Sequence, residues 1–444
     1  MALSKVSTDG IKDATIATAD LANDAVTTAK IANSAITNDK LNNNSITTAK
    51  INDSQITTSK INADAVTQAK IAANAIGTTQ IADDAVTKAK VSVPLTNRNL
   101  IINGAMNVAQ RGTTSTSTSY QTIDRFALLT AGVEEAPTQH QVDVGSNKDP
   151  YYEGFRKAFK ITNGNQTSGD APDHILIRYK VEAQDIANSG WNYQSATSYV
   201  TLSYWIRSSV AQNFYFNLIA GDGTPQNYAY ETGSLSANTW TKITKTISGN
   251  SNLTFNNDSG VGLQIDWWAY AGTSVTNSNV NLNQWFAYSS TNRMPNHTST
   301  WFTTNDSTLE ITGVQLEVGS EATNFEHRSY QDDVTRCMRY FQKVHGMQIV
   351  GTRNTATRMR MNATFMVPMR ATPTYARTSH GFYFQLSGTG TESTDTTEAQ
   401  GAGTSVIDGL SYGRQWDFGG FSNLADRSYI GSSNQVLFEM DSEL

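Results

Sequence analysis

The chain has 444 residues, of which 38% are hydrophobic and only 16% are charged, and Ser, Thr, Asn and Gly replace the missing charge, as is typical of β-rich extracellular or virion proteins. The formal net charge of −6, without a basic run, argues against nucleic acid as a partner. One cysteine, Cys337, excludes an intrachain disulfide framework, and the lack of any run of roughly 18 apolar residues predicts no membrane insertion.

A ten-residue repeat occupies residues 9–95, after a candidate attachment peptide at residues 1–8. Isoleucine, leucine or valine returns at every fifth position, and a lysine usually closes the unit, as in "AVTTAKIANSAITNDKL". A step of five rotates an α-helix by roughly 140°, so no apolar stripe forms, and on a strand it alternates faces. Turn-forming residues such as Asp24 and Ser34 lie at position four. The spacing therefore predicts a bent unit, with a turn at position four and an extended piece around position six followed by a single helical turn.

One chain of this repeat should not be stable alone. Two buried aliphatic side chains per unit contribute roughly 3–6 kcal/mol, whereas ordering ten residues costs roughly 10–20 kcal/mol of backbone entropy. We therefore expect a homotrimer, with these side chains along a shaft axis. The predicted axis residues are Ile31, Ile36, Leu41, Ile46, Ile51, Ile56, Ile61, Val66, Ile71, Ile76, Ile81 and Val86. The alternatives are a disordered linker and a coiled coil, which the absence of heptads disfavours.

The remainder predicts a mainly β protein. Residues 96–330 contain many short alternating segments, such as "YVTLSYWIRSS" and "STLEITGVQLEVGS", separated by Gly, Asn, Asp and Ser clusters, which indicates a β-sandwich. Residues 331–343 have helical spacing at Val334, Met338 and Phe341 and predict a linking helix with Cys337 as a buried packing residue. Residues 344–444 predict a small C-terminal β domain.

Several segments resemble a module of phage tail-fibre and related virion proteins. They are "RNLIINGAMNVAQRGT", "SYQTIDRFAL", "LSYWIRSS", "TWTKITKTISG" and "ITGVQLEVGSEATNFEHRSYQDDVTRCMRYFQK", which follow one another over residues 98–343. The decapeptide shaft is also similar to shafts of phage fibres, particularly those of cyanophages. The resemblance implies a jelly roll like that of carbohydrate-binding modules, usually in a homotrimer. It implies adhesion or virion structure and carries over no binding residues.

Aromatic side chains could form a sugar platform, because ring faces suit the apolar face of a pyranose. The candidate glycan-binding residues are Trp191, Tyr193, Trp301 and Trp416. Packing in the core or between chains is the alternative for each of them. Strand alternation should direct only one of Trp267 and Trp268 outward.

The sequence favours a trimeric tail fibre of the virion, assembled in the host cytoplasm, which attaches to host surface polysaccharide or lipopolysaccharide. Its N-terminus would contact other phage tail proteins. The alternative is a structural neck or tail appendage that contacts virion proteins without binding a receptor. A depolymerase is the third possibility, but adjacent acids such as Asp332 and Asp333 suit a solvated surface better than catalysis. We expect no catalytic residues, no metal site and no cofactor.

Overall fold

The chain divides into two compact units, Met1–Val91 and Ser92–Leu444. The predicted attachment peptide and the predicted axis residue Val86 lie outside the residues that the structure describes. Among the described residues, no helix has the length and apolar character needed to cross a membrane. The computed structural model describes residues 16–42, 45–51, 55–62, 65–72, 75–76, 81, 97–147, 149–345, 349–355, 358–377, 382–386, 391–394, 399–407, 410–418, 428–431 and 436–444.

In the first unit, a single 3₁₀ turn recurs every ten residues, as the spacing predicts. The residue before the turn is extended, with φ −91° and ψ 165° at Thr27, and the residue after it is extended at Ile31. The turn is closed by a bond such as Lys30 N to Thr27 O at 2.9 Å. The described turns are Thr18–Asp20, Thr28–Lys30, Asn38–Lys40, Thr48–Lys50, Thr58–Lys60 and Gln68–Lys70.

A second turn precedes the extended piece in each unit. Ala25 N donates to Ala22 O at 3.0 Å, and Asp24 has a φ of 61°. Ser34 occupies the same place in the next unit with a φ of 64°. Asp and Ser tolerate a turn of this kind because their short polar side chains suit local backbone hydrogen bonding. The predicted turn at position four is therefore confirmed where the structure describes it.

The closing lysine ties the unit together. The Lys40 ammonium donates to Ala35 O at 2.6 Å, and Lys60 and Lys70 make the same bond to Gln55 O and Ala65 O at 2.6 Å. Each bond joins position ten to the carbonyl of position five within one unit. Throughout the first unit of the chain, every described hydrogen bond joins residues that are no more than five positions apart in sequence.

The aliphatic side chains of the repeat are exposed in the single chain. Fourteen of them, from Ile16 to Ile81, keep between 39% and 57% of their surface accessible. Eleven of the twelve predicted axis residues belong to this set, and the twelfth is Val86. One chain therefore leaves the apolar register of the repeat unburied.

The second unit contains a β-sandwich of two six-stranded antiparallel sheets, as predicted. One sheet has the order β1-β3-β4-β12-β6-β9 and the other β11-β8-β7-β10-β5-β2. Most connections cross from one sheet to the other, which is the pattern of a jelly roll. The strands are β1 Thr114–Ser115, β2 Phe126–Ala131, β3 Thr138–Asp143, β4 Lys157–Thr162, β5 His174–Glu182, β6 Tyr199–Ser208, β7 Asn213–Ala220, β8 Gln226–Ser234, β9 Thr241–Ser248, β10 Val261–Ala271, β11 Trp285–Ala287 and β12 Thr308–Val318.

The core between the sheets is aromatic and aliphatic. Trp267 of β10 contacts Tyr204 of β6 edge-on at 5.8 Å between ring centroids, and the ring of Phe126 of β2 lies 6.2 Å from that of Trp267. These three residues come from strands far apart in sequence, and all are fully buried. Facing residues of the two sheets interdigitate in this way because side chains alternate along each strand.

In the part of the chain that the structure describes, four short helices accompany the strands: α1 Asp149–Tyr152, α2 Ala183–Ala187, α3 Thr300–Thr303 and α4 Tyr330–Met338. The linking helix predicted over 331–343 corresponds to α4, where the Ser329 side chain caps the first turn by accepting from Asp332 N at 3.1 Å. Phe341 was expected on this helix and instead begins a strand. Cys337 is buried and unpaired, which confirms its packing role.

The C-terminal segment adds two further sheets. One has the order β13-β22-β16 and the other β18-β17-β21-β14-β15-β20-β19. The strands are β13 Phe341–His345, β14 Ile349–Thr355, β15 Arg358–Met369, β16 Thr374–Arg377, β17 Phe382–Leu386, β18 Thr391–Thr394, β19 Ala399–Ile407, β20 Leu410–Phe418, β21 Ser428–Gly431 and β22 Val436–Asp441.

Buried charges join the last residues of the chain to the sandwich. Arg125 is almost fully buried, lies over the Tyr340 ring at 3.4 Å and is paired with Glu443. Arg111 pairs with Asp441 at 2.9 Å and with Glu443 at 3.4 Å. Because both arginines converge on one buried carboxylate, residues 441–444 form part of the packed structure.

Candidate functional site

Two of the predicted glycan-binding aromatics lie beside each other at the edge of the sandwich core. Trp191 is only 3% exposed, and its ring lies 6.1 Å from that of Phe255. Tyr193 is half-buried and contacts Phe255 edge-on at 4.9 Å. The Trp191 ring therefore closes the core and presents no face to a sugar, because its surface is already used by its neighbours.

Trp301 is also a core residue. It lies in α3, is fully buried, and donates from its indole Nε1 to Thr308 O at 3.0 Å. The adjoining Phe302 stacks on Tyr270 with ring centroids 4.2 Å apart. Trp416, the fourth candidate, lies in β20 opposite Met361, and its side chain lies outside the described residues.

Trp267 and Trp268 correct the expectation that one of the pair faces outward into solvent. Both are fully buried. Trp268 donates from Nε1 to Asn217 Oδ1 at 2.7 Å, and the Arg293 guanidinium lies 5.7 Å from its ring. The segment that contains Arg293 covers this part of the outer face of the sheet, so alternation alone did not decide exposure.

That segment, between β10 and α3, forms a polar hollow of about 250 Å³. Its walls carry four asparagines, one glutamine and one serine, with a phenyl ring and two small apolar side chains. We call it the asparagine hollow, and it is lined by Asn277, Asn279, Val280, Asn281, Gln284, Phe286, Ala287, Ser289 and Asn292.

Hydrogen bonds fix the ends of the segment to one another. Asn277 N donates to Met294 O at 2.9 Å, and Arg293 N donates to Val275 O at 3.0 Å. The Asn277 amide also donates to Asn292 Oδ1 at 3.0 Å. These hydrogen bonds between the two backbone segments fix the separation of the two sides of the hollow.

Strand β11 anchors the floor of the hollow to the sandwich. The Trp285 indole donates to Ser248 O at 2.8 Å and lies 5.3 Å from the Tyr228 ring. Asn283 N donates to Ala229 O at 2.8 Å, with a φ of 64° that Asn accommodates better than most residues. Phe286 follows Trp285 in β11 and turns to the opposite side, where it lines the hollow.

The side-chain amides of Asn279, Asn281 and Gln284 are available to a ligand. All three residues are exposed, and in the described part of the chain their side chains make no hydrogen bond. Each amide offers two donors and one acceptor oxygen. None of the described residues that line the hollow is charged. The arrangement therefore suits a neutral ligand rich in hydroxyl groups, with one phenyl ring for its apolar face.

A partly buried histidine lies in the same segment, just before α3. His297 contacts Tyr215 edge-on at 5.5 Å, and its Nε2 lies 3.3 Å from the Met294 sulfur. Burial lowers the pKa of His297 to about 3. The imidazole is therefore neutral at physiological pH, which is consistent with a hollow free of charge.

The asparagine hollow lies outside the aromatic clusters that the sequence marks as candidate glycan-binding residues. The available signal was the alternation of asparagine at positions 277, 279, 281 and 283 in "TNSNVNLNQWF". Such a run is too polar for a buried strand, and it places amides at a regular spacing beside Trp285 and Phe286. The composition of this segment alone predicts a loop. The hydrogen bonds that fix the ends of the segment are visible only in the structure.

No family model matches the chain, and no curated protein matches it. Among solved structures, it is similar to the enzymatically active domain of bacteriophage CBA120 tailspike protein 4, with 8% identity, a TM-score of 0.26, and coverage of 50% of this chain and 21% of that one. The chain thus spans about a fifth of that tailspike domain.

Two carbohydrate-binding domains are similar at the same level. One is the family 11 carbohydrate-binding module of Clostridium thermocellum, in complex with a β-1,3-1,4-mixed-linked tetrasaccharide, with 10% identity, a TM-score of 0.23, and coverage of 47% of this chain and 98% of that one. The other is the N-terminal cellulose-binding domain of Cellulomonas fimi β-1,4-glucanase C, with 10% identity, a TM-score of 0.21, and coverage of 49% and 99%. TM-scores of this size carry no inference about ligand or activity.

Proposed function

We propose that the chain is a trimeric fibre protein of a phage virion that attaches the particle to its host through a neutral surface glycan. The observation that carries the proposal is the row of exposed aliphatic side chains in the repeat. Burying the exposed half of fourteen such residues would contribute roughly 10–20 kcal/mol per chain. Two further copies of the same chain are the partner, because the identical ten-residue register lets every unit meet its equivalent.

The asparagine hollow is the proposed contact with the glycan. Its unpaired amides can exchange hydrogen bonds with sugar hydroxyls, and Phe286 offers an apolar edge. One such site binds weakly because its floor is small and its amides are hydrated when empty. Three copies on one fibre would engage a cell surface together, and avidity would raise the apparent affinity by orders of magnitude.

Binding rather than catalysis is proposed for this site. Its described lining residues include no carboxylate, whereas glycoside hydrolysis usually needs a pair of them on either side of the scissile bond. The resemblance over residues 98–343 supports the virion setting, with other tail proteins at the N-terminal end. We propose no cofactor and no metal for the activity.

Adsorption competition tests the proposal. Purified full-length protein is added to host cells, and free phage is counted after a short incubation. Wild type should block adsorption with increasing dose, and Asn279→Ala combined with Asn281→Ala should need about tenfold more protein. The matched control is Asn165→Ala combined with Asn192→Ala, two exposed asparagines outside the hollow, and it should block like wild type.

Equal blocking by both double variants would place the receptor contact outside the asparagine hollow. If an assembled wild-type trimer does not block adsorption, the proposed receptor-binding function is refuted. The structural neck or tail appendage would then be the better explanation, with a virion protein as the partner of the sandwich.

A further inference from the structure

A second cavity, of about 300 Å³, lies where the start of the sandwich unit meets α2 and α4. Three arginines line it: Arg98, Arg328 and Arg336. Asp185 and Asn188, from α2 and its end, line it as well, and Leu100, Ile102 and Val318 give it an apolar wall. The volume is at the lower limit of small-molecule pockets, which span roughly 300–1,000 Å³.

The arginines differ in how their charge is balanced. Arg328 is paired with Glu326 at 3.1 Å, and Arg336 with Asp332 at 3.3 Å. Arg98 donates only to neutral oxygens, the Thr323 hydroxyl at 2.5 Å and the Asn324 carbonyl at 3.2 Å. The cavity therefore holds one guanidinium that has no carboxylate within hydrogen-bonding distance among the described residues.

Asp185 is the complementary feature. Its carboxylate accepts no hydrogen bond among the described residues, although it lines the same cavity. A ligand that satisfies both groups must bring an anion to the arginines and a donor to the aspartate. Inorganic sulfate has no donor, and its two charges would be repelled by Asp185. A carboxylate on a ring that also carries hydroxyls meets both requirements.

We propose that this cavity binds an acidic sugar unit, a monosaccharide bearing one carboxylate. The carboxylate pairs with Arg98 and Arg336, the hydroxyls donate to Asp185, and the ring carbons contact the apolar wall at Leu100 and Val318. Arg328 is already hydrogen-bonded to backbone carbonyls, with Nη2 2.7 Å from Asn99 O. It therefore contributes positive electrostatic potential to the cavity rather than a free hydrogen-bond donor. The inference rests on the proposed function only for the source of the sugar, a host surface glycan that would carry acidic units beside the neutral units proposed for the asparagine hollow.

Calorimetric titration of the full-length protein tests the inference, with D-glucuronate, D-glucose and inorganic sulfate as probes. Glucuronate should bind saturably and more tightly than either other probe. Arg336→Gln removes a partly exposed guanidinium and should weaken glucuronate binding about tenfold. Arg156→Gln is the matched control, because that guanidinium contacts Tyr151 and does not line the cavity, and it should bind like wild type.

Asp185→Asn separates a sugar acid from a simple anion. Loss of the acceptor should weaken glucuronate, while loss of the repulsion should strengthen sulfate. The inference is overturned if wild type shows no saturable glucuronate binding, if sulfate binds as tightly as glucuronate, or if Arg336→Gln binds glucuronate normally. The Asn279→Ala, Asn281→Ala protein should retain glucuronate binding, so failure of the asparagine hollow and failure of this cavity give different results.

Discussion

Aliphatic side chains in the repeat keep 39–57% of their surface exposed, whereas Trp267, Tyr204 and Phe126 in the sandwich are fully buried. Backbone pairing differs in the same sense. Described bonds of the repeat join residues at most five apart, but the sandwich pairs Leu309 with Ser208 and Thr308 with Thr162. The sandwich completes its core within one chain. The repeat has local order without a core in the single chain, and this contrast is the reason for proposing that further copies of the chain supply one.

Disrupting association in the repeat should have the largest effect. Ile36→Asp combined with Ile46→Asp places charge in the apolar register, and desolvating unpaired carboxylates there costs several kcal/mol in each chain. We expect the mass from light scattering to fall from that of a trimer to that of one chain. The neighbouring pair Thr37→Asp and Thr47→Asp should remain trimeric, because those positions lie outside the register. A wild-type protein with the mass of one chain would contradict the trimer itself.

The buried charge cluster of the sandwich unit should show the next largest effect. Glu443→Ala leaves Arg125 and Arg111 without their shared carboxylate, and breaking a buried pair costs about 3–5 kcal/mol. Glu439→Ala is the control, because its 3.5 Å pair with Lys343 is partly exposed and is worth less than about 1 kcal/mol. Urea unfolding of both variants measures the difference. Equal losses would show that the last residues are not part of the packed core.

The pH dependence of the free energy of unfolding is a further test, because titratable side chains are enclosed in the sandwich unit. The pKa of His297 is lowered to about 3, so on acidification from about pH 6.5 to 4 the unfolded chain takes up a proton that the native protein does not. This costs about 3 kcal/mol of stability. Burial raises the pKa of Asp124 to about 6, which has the opposite sign: the native state is protonated first, and stability rises as pH falls towards 4.

The two groups should therefore offset each other in wild type, and single variants should separate them. His297→Gln should gain stability relative to wild type as pH falls from about 6.5 to 4, and Asp124→Asn should lose stability relative to wild type over the same range. Urea unfolding midpoints at three pH values within it give both slopes. Parallel profiles for all three proteins would mean that neither group is buried as the structure shows.

The elements with a repeating pattern were predictable from sequence. The ten-residue register gave the single turn at Thr28–Lys30 and the turn at position four, and alternation gave the β-sandwich. Ser329 followed by Asp332 and Asp333 marks the start of α4, as an N-cap and an acidic first turn should. These features depend on neighbours in sequence, so the sequence contains the information directly.

The solvent exposure of the aromatic side chains could not be predicted from the sequence. Trp191, Trp301 and Trp268 were each credible as surface aromatics, but whether a ring is exposed depends on what covers it. Trp268 lies on the outer face of its sheet and is covered there by the segment around Arg293 and by the His174 ring, 5.7 Å away. The asparagine hollow arises from the same segment. Long-range covering of this kind leaves no periodic trace in the residues that are covered.

The lysine that closes most of the repeats has a consequence for how such a chain can change over generations. Because Lys40 bonds to Ala35 and Lys60 to Gln55, each ten-residue unit completes its own turn without help from a distant unit. Duplicating or deleting one unit of the gene would leave every remaining unit with all its described bonds. The length of this segment can therefore vary in steps of ten residues by recombination, independently of the unit that contains the β-sandwich.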